Sequence, residues 1–567
     1  MTTFCHRFAI TAIVVTAVAV FPRAALSQAA LPGADSALAA SAQSAAPGRE
    51  VRKLSLDEAV RQALEHNLGI QLAKVNPQLQ DLAIAQTLTA WSPTLTATGS
   101  TAGTDTPNAS FLSGASGDEI NDHRYAGNVG IRQATKWHGA SFALGWDNTR
   151  STTTNLFTNF NPQVNSSVSF SVVQPLLRNF RIDSVKQQLE VGRKNRQSSE
   201  LDVQASIATT SRAVRNAYWD LAYALESLTV ARQSLDLARE SLRNNRARVE
   251  IGTMAPIDIV EAEAEVAQRD EAVIVAEAAI DRAEDTLRTL IFDPASADFW
   301  TVRIEPTDRP PFSPLSVNVD VAVAKALESR TDLKQALTAI EATDVNLRFL
   351  TDQTLPEVNA QLDYGLNGLG GTQAIRGPGF PGPIIGSAQR SFGAALGDIF
   401  QNQYPRWTLS VNVNYPLGQT AQQANLARTK LQQSQARLQL RNQQLQVATQ
   451  VRDAARTLTT NQKRVGSTRA SRELAARRLE AEQKKFAAGQ STSFFVFQAQ
   501  RDLAQAQANE LKAILDYNKS AVDFETIQQA PLAGGAGVTG AAGAVQTGGA
   551  APPTTATVSG GTQQRSF

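Results

Sequence analysis

The chain has 567 residues, 19% of them charged, with 54 lysines and arginines against 52 acids. That balance argues against a nucleic-acid partner, which requires clustered positive charge, and leaves only small local patches open. The single cysteine, Cys5, excludes a disulfide framework and a thiolate metal site. Length alone predicts about three or four ordinary domains, but the pattern along the chain describes one elongated body.

Residues 1–27 read as a secretory signal peptide. Arg7 precedes the apolar run Phe8–Phe21, small residues follow at Ala24, Ala25, Ser27 and Ala29, and no acid occurs. A run of about 14 residues is too short to span a bilayer comfortably. Removing Arg7 and Arg23 with the signal leaves 52 basic residues, equal to the acidic ones. Residues 28–50, rich in Ala, Ser, Gln and Pro, and 531–567, rich in Gly, Ala and Thr, read as disordered. No later stretch approaches the roughly 18 apolar residues of a helical span, which leaves a β-barrel open.

The folded part is expected to open at Leu54. Ser55 and Glu58 have the spacing of a capping box before the apolar positions Ala59, Val60, Ala63 and Leu64. Asn67 and Gly69 interrupt this helix; a second piece continues to about Trp91, and Pro93 ends it. Strands are expected over about 94–174. Phe142–Trp146 and Val168–Val172 alternate polar and apolar, and an extra candidate hairpin pairs Asn128–Ile131 with Ser141–Trp146 around Lys136-Trp137-His138-Gly139. The residues leave open whether that hairpin joins the wall of a barrel.

A long helix is expected over about 184–251. Large residues recur every seventh place at Ile207, Val214, Leu221, Leu228, Leu235, Leu242 and Val249, and small ones three places later at Thr210, Ala217, Ala224, Ala231, Ala238 and Asn245. A heptad seam held this long implies a left-handed coiled coil. It stops at Gly252 with Pro256 beyond, and restarts at Ile259, Val266, Val273, Ile280 and Leu287. Two helices, about 184–251 and 258–292, therefore meet at a tip near 250–257. The first would be about 100 Å long at 1.5 Å per residue, more than a globular core can use.

The pattern then repeats. Asp320–Leu327 (DVAVAKAL) matches Asp57–Leu64 (DEAVRQAL), Pro356 matches Pro93, Tyr415-Pro416-Leu417 matches Gln174-Pro175-Leu176, and Phe486-Ala487-Ala488-Gly489 matches Val249-Glu250-Ile251-Gly252. The chain divides into structural repeats at 51–316 and 317–530. The second repeat is expected to have strands over about 356–415, a long helix over about 420–488, a tip at 487–493 and a helix over about 494–529. Within it 367–404, rich in Gly and Pro, reads as a long surface loop.

The strands carry Leu, Val, Phe, Trp and Tyr on one face and Ser, Thr, Asn, Gln and Asp on the other. Thr408–Tyr415 and Val358–Tyr364 show this alternation most clearly. A half-buried soluble sheet gives that pattern; so does a barrel with lipid outside and a polar lumen. The signal peptide and the aromatic residues near strand ends (Trp91, Tyr125, Tyr364, Trp407, Tyr415) favour the barrel. About four to six strands cannot enclose an aqueous lumen, since even eight leave room only for side chains. Several protomers must share one barrel.

The LSLDEAVRQAL opening, Ser92-Pro93-x-Leu95, Gln174-Pro175-Leu176-Leu177, Ala217-Tyr218-Trp219-Asp220-Leu221 and the Gly252-x5-Asp258-x3-Ala262 tip resemble the TolC-type outer-membrane efflux proteins over about 54–529. The resemblance implies a fold of α plus transmembrane β-barrel. In it a duplicated helix–strands–long helix–helix repeat forms a homotrimer sharing one β-barrel, continued by a periplasmic coiled-coil α-barrel tunnel. It implies an outer-membrane location with a long periplasmic extension. It also implies a passive exit duct for tripartite efflux or type I secretion, with a periplasmic adaptor (membrane fusion) protein, an inner-membrane transporter and outer-membrane lipid as partners.

In that family the helix after each tip glycine can present acids to a constriction. Asp258 and Glu261 match in the first repeat; Phe495 and Gln498 stand in their places in the second, flanked by Phe494 and Phe497. The phenylalanines fit an apolar gate that closes by dewetting, or ordinary core packing. Asp258 and Glu261 fit a gate, or acids stabilising a helix N-terminus by about 0.3–1 kcal/mol. Arg246, Arg248, Lys484 and Lys485 precede the tip glycines Gly252 and Gly489. They fit adaptor docking, or cations at a helix C-terminus.

Catalytic and cofactor chemistry finds no support. His6, His66, His123 and His138 are scattered without ligand spacing, and no nucleophile elbow, phosphate-binding loop or dinucleotide fingerprint occurs. No catalytic, cofactor or metal residue is expected. The rival readings are a periplasmic adaptor or scaffold, which also uses a helical hairpin, and an uptake porin, which has no use for rods about 100 Å long.

Overall fold

The computed structural model describes residues 51–532 apart from 111, 112, 116, 297, 310, 311, 381 and 419. The expected signal, the linker at 28–50 and all but the first two residues of the tail lie outside the described residues.

The first repeat begins with β1 (Val51–Leu54), α1 (Leu56–His66), α2 (Leu68–Leu88) and a 3-10 turn at Thr89–Trp91. Ser55 caps α1 by accepting from the Glu58 amide at 3.3 Å. Glu58 turns away from the cap to bind Arg61 and Gln62, so only half of the expected capping box forms. Asn67, which ends α1, also caps α2 by accepting from the Gly69 and Ile70 amides. Strands β2 (Thr94–Pro107), β3 (Glu119–Ala134), β4 (Ser141–Thr153) and β5 (Phe160–Pro175) follow. Then come α3 (Ser184–Glu250) and α4 (Ile257–Ile291), and β6 (Arg303–Pro306) returns to pair in parallel with β1.

The second repeat has α5 (Val319–Ser329), α6 (Thr331–Gln353), β7 (Glu357–Arg376), β8 (Ile384–Arg390), α7 (Phe392–Phe400), β9 (Pro405–Asn414), α8 (Ala421–Ala487) and α9 (Ser493–Thr526). The duplication is visible in the element lengths. Helices α1 and α5 each have 11 residues, and α3 and α8 each have 67. The latter are rods of about 100 Å.

The heptad seam forms the contact between α3 and its neighbours. Val214 and Leu221 are fully buried, the small seam residues Ala217, Ala224 and Ala238 are also buried, and Ile280 and Leu287 of α4 share one core with Val214, Ala217, Leu221 and Ala224. Tyr218 anchors the base of this core. Its hydroxyl accepts from the Asp308 amide (3.0 Å) and lies within donating distance of the Leu54 carbonyl (3.0 Å) and Asp308 Oδ2 (3.1 Å), which joins β1 to the segment after β6. Tyr517 of α9 donates to the Ser313 carbonyl at 2.6 Å in the second repeat.

The strands form one antiparallel sheet in the order β2-β3-β4-β5-β7, with β8 pairing the outer part of β7 and β9 its base. The extra hairpin is part of this sheet: β3 and β4 pair continuously around a turn in which His138 and Gly139 have φ of 47° and 68°. Strand register aligns the two faces across the sheet. Leu95, Ile131, Leu144, Phe170, Tyr364 and Trp407 fall on one line, bordered by Val129, Trp146, Val168 and Leu366. The opposite face carries Thr96, Asn128, Asp147, Ser167, Ser169, Gln361, Asp363, Ser410 and other small polar residues. Trp407 and Leu409 are 70% and 65% exposed on the single chain, as an outward apolar band requires. Trp91 departs from that expectation, since it is buried with Lys136 over its ring.

Segment 367–404 is not a loop. Strand β7 runs on to Arg376, β8 pairs with it, and α7 folds back over the sheet. Glycine hides this in sequence. A Cβ at Gly368 would lie 1.8 Å from the Ala395 carbonyl oxygen, so glycine there marks the close approach of α7 rather than a turn. Asp398 of α7 binds Arg390 at 2.7 Å and accepts from the Leu369 amide, which falls in the gap between β8 and β9.

Candidate functional site at the hairpin tips

Each long helix ends in the same turn. The Gly252 amide donates to the Val249 carbonyl (3.0 Å) and the Thr253 amide to that of Arg248 (2.9 Å), with Gly252 at φ 78°. At the second tip Gly489 donates to Phe486 (3.1 Å) and Gln490 to Lys485 (2.8 Å), with Gly489 at φ 73°. These are Schellman turns, in which a glycine in the left-handed region satisfies the last helical carbonyls.

The two tips touch. Ser493 Oγ donates to Asp258 Oδ1 at 2.9 Å, tying the first turns of α4 and α9. The Arg248 guanidinium lies over the Phe486 ring, 4.4 Å from its centroid. Two turns deeper, Gln500 donates to Ser241 at 3.2 Å, and Arg501 pairs with Glu265 at 3.0 Å.

The helix starts differ in chemistry. Neither Pro256 nor Thr492 makes a side-chain cap, and of the two first turns only that of α4 holds an acid, Asp258. Asp258 therefore serves the α4 terminus and the link to Ser493 together. Glu261 is exposed and Gln498 half-buried. Phe494 and Phe495 are 53% and 49% exposed, their rings edge to face at 5.6 Å. Phe497 is buried, and its neighbour Val496 packs with Leu479 and Ala499. Core packing thus takes Phe497 and leaves Phe494 and Phe495 on the surface of the protomer.

The basic residues are engaged within the chain. Arg246 pairs with Glu263 at 2.7 Å, Lys484 with Glu480 at 2.8 Å, and Lys485 with Glu482 at 2.7 Å. The Lys485 and Ser491 hydrogen bonds hold the Glu482 carboxyl below its ordinary range, and Lys484 does the same to Glu480. Surface pairs of this kind are weak in water, so a partner can displace them.

Sequence reasoning did not single out Glu265. It is 5% exposed and held by both Arg269 and Arg501. The available signal was its place seven residues after Asp258, on the same helix face. Among the described residues no cluster of His, Cys, Asp or Glu is arranged to hold a metal, and no helix is long and apolar enough to cross a membrane.

The outer membrane efflux protein family matches residues 123–291 and 322–527. Among solved structures, the chain is similar to the Campylobacter jejuni CmeC outer membrane channel at 13% identity and a TM-score of 0.58, covering 84% of this chain and 85% of that one. The outer membrane protein VceC from Vibrio cholerae is similar at 13% identity and a TM-score of 0.57, covering 84% and 95%. The open state of the Neisseria gonorrhoeae MtrE outer membrane channel follows at 16% and 0.56, covering 84% and 89%. No curated protein matches. At these identities the structural likeness establishes the fold, and the family match establishes membership: the chain belongs to the outer membrane efflux protein family.

Proposed function

We propose that this protein is the passive exit duct of an efflux or type I secretion system, assembled as a homotrimer in the outer membrane with its helical rods in the periplasm. One observation carries the reading. A single chain joins a sheet with an apolar outer face to two helical hairpins built on 67-residue rods. The apolar band meets lipid, the polar face meets the lumen, and the rods span the space an inner-membrane transporter must bridge.

In this reading the tips are the periplasmic constriction. Asp258, Glu261, Phe494, Phe495 and Gln498 narrow it, and the Asp258–Ser493 and Arg248–Phe486 contacts hold the hairpins closed within each protomer. Arg248 and Lys485, beside the turns at Gly252 and Gly489, form the surface a periplasmic adaptor engages. Docking exchanges the internal partners of these cations for the adaptor's groups and frees the tips to part.

Fractionation with cross-linking tests this. The protein should sediment with the outer membrane and cross-link as three copies. Recovery in the soluble periplasm as a monomer would return the adaptor reading.

A further inference from the structure

In the single chain the sheet occupies six positions: β2, β3, β4, β5, β7, and a sixth filled at its base by β9 and farther out by β8. The pairing has no break at which a hairpin could leave the wall. Strand β2 faces β3 from Thr94 opposite Arg132 to Pro107 opposite Glu119, and β3 faces β4 from Asp122 opposite Thr153 to Ala134 opposite Ser141. The apolar line from Leu95 to Trp407 crosses all six positions, so the hairpin carries the same outward band as its neighbours. Among the described residues β2 pairs only with β3, and β9 only with β7, which leaves one edge of each without a strand. In hydrocarbon an open edge is not tolerated. Strand β2 leaves the helical end and β9 returns to it, so β9 of one protomer meets β2 of the next antiparallel, as the even number of strands requires.

We propose that the outer-membrane section of this duct is an eighteen-stranded barrel with six consecutive strands from each protomer, wide enough to pass bulky, hydrated cargo. The inference rests on the trimeric duct proposed above. With strands about 4.8 Å apart and tilted by about 40°, eighteen strands enclose about 36 Å between opposite backbones, against about 24 Å for twelve. Barrels of about 16–18 strands keep an aqueous channel rather than filling with side chains. The inward face is lined mostly by Ser, Thr, Asn, Gln and Gly. Its charges are of both signs, Arg124, Arg132 and Arg406 against Asp122, Asp147, Glu357 and Asp363, so neither sign dominates the lumen. The narrow part of the path is then at the periplasmic tips, and the barrel is an open mouth.

Electron cryomicroscopy of the full-length oligomer in lipid nanodiscs tests the proposal. The expected density has eighteen strands, about 36 Å across, with the hairpin of Leu144 in the wall. A trimer with twelve strands and that hairpin outside the wall would overturn the proposal and leave the duct standing. An assembly of some other number of copies would overturn both. Labelling supplies an independent readout, because the mature chain would carry no native cysteine. Leu144→Cys should react with a lipophilic maleimide and Asp147→Cys with a charged one; equal reaction of both with the charged reagent would place the hairpin outside the membrane wall.

Discussion

Ser493 Oγ lies 2.9 Å from Asp258 Oδ1, so the helix after one tip is fastened to the helix after the other. Ser493 is 3% exposed, which shelters the bond from competing water. If this bond holds the constriction, Ser493→Ala and Asp258→Ala should each raise single-channel conductance, and the double variant should raise it no further than the stronger single one. The coupling expected for such a hydrogen bond is about 1 kcal/mol. Full additivity would show that the two residues act separately.

The tip glycines set the turn through backbone conformation alone. A Cβ at Gly252 or Gly489 meets nothing within 4 Å, but both residues have positive φ. Alanine at either place should cost about 1–2 kcal/mol, and asparagine less. Amide hydrogen exchange is the measurement: protection should fall in the last turn of α3 or α8 and stay unchanged at Val214 and Leu221.

Gly368 is a packing glycine. Gly368→Ala drives a Cβ into the Ala395 backbone, whereas Gly365, whose nearest neighbour would be 3.8 Å away, tolerates the same change. The expected loss at Gly368 is about 1–3 kcal/mol, read as a lowered melting temperature of the detergent-purified oligomer. Gly365→Ala should melt within error of the wild type.

Asp352, near the end of α6, gives a pH dependence. Burial raises its carboxyl above the ordinary Asp value, against the Asn179 amide at 2.6 Å and the charges of Arg181 and Arg178. A carboxyl raised in the folded state holds its proton more tightly there than in the unfolded chain. Its stabilising share is therefore complete below the ordinary value of about 3.9 and lost as pH rises through the folded value. Asp352→Asn keeps an oxygen for the Asn179 amide and removes the titration. The variant should match the wild type in acid and gain relative stability as pH rises, measured by thermal unfolding.

Much of the helical architecture was legible because it rests on periodicity. The seam from Val214 to Leu235 and the glycines at 252 and 489 mark α3, α8 and their ends, as buried heptad positions and positive φ demand. The β region was legible only in part. Alternation identifies β9 and the base of β7, but Gly368, Gly370 and the prolines of 378–383 look the same whether they form a loop or receive a helix. At the tips, local spacing found Asp258, Phe494 and Phe495. The contacts Asp258–Ser493, Arg248–Phe486 and Glu265–Arg501 depend on how two hairpins more than 200 residues apart in sequence pack together, and no local pattern carries that.

The most direct test is the conductance of the purified oligomer in a planar bilayer, wild type beside the double variant Phe494→Ala/Phe495→Ala. The wild type should show a small, stable conductance and the variant a clear rise, as apolar side chains leave the constriction. A folded oligomer that conducts in neither form would contradict the duct itself.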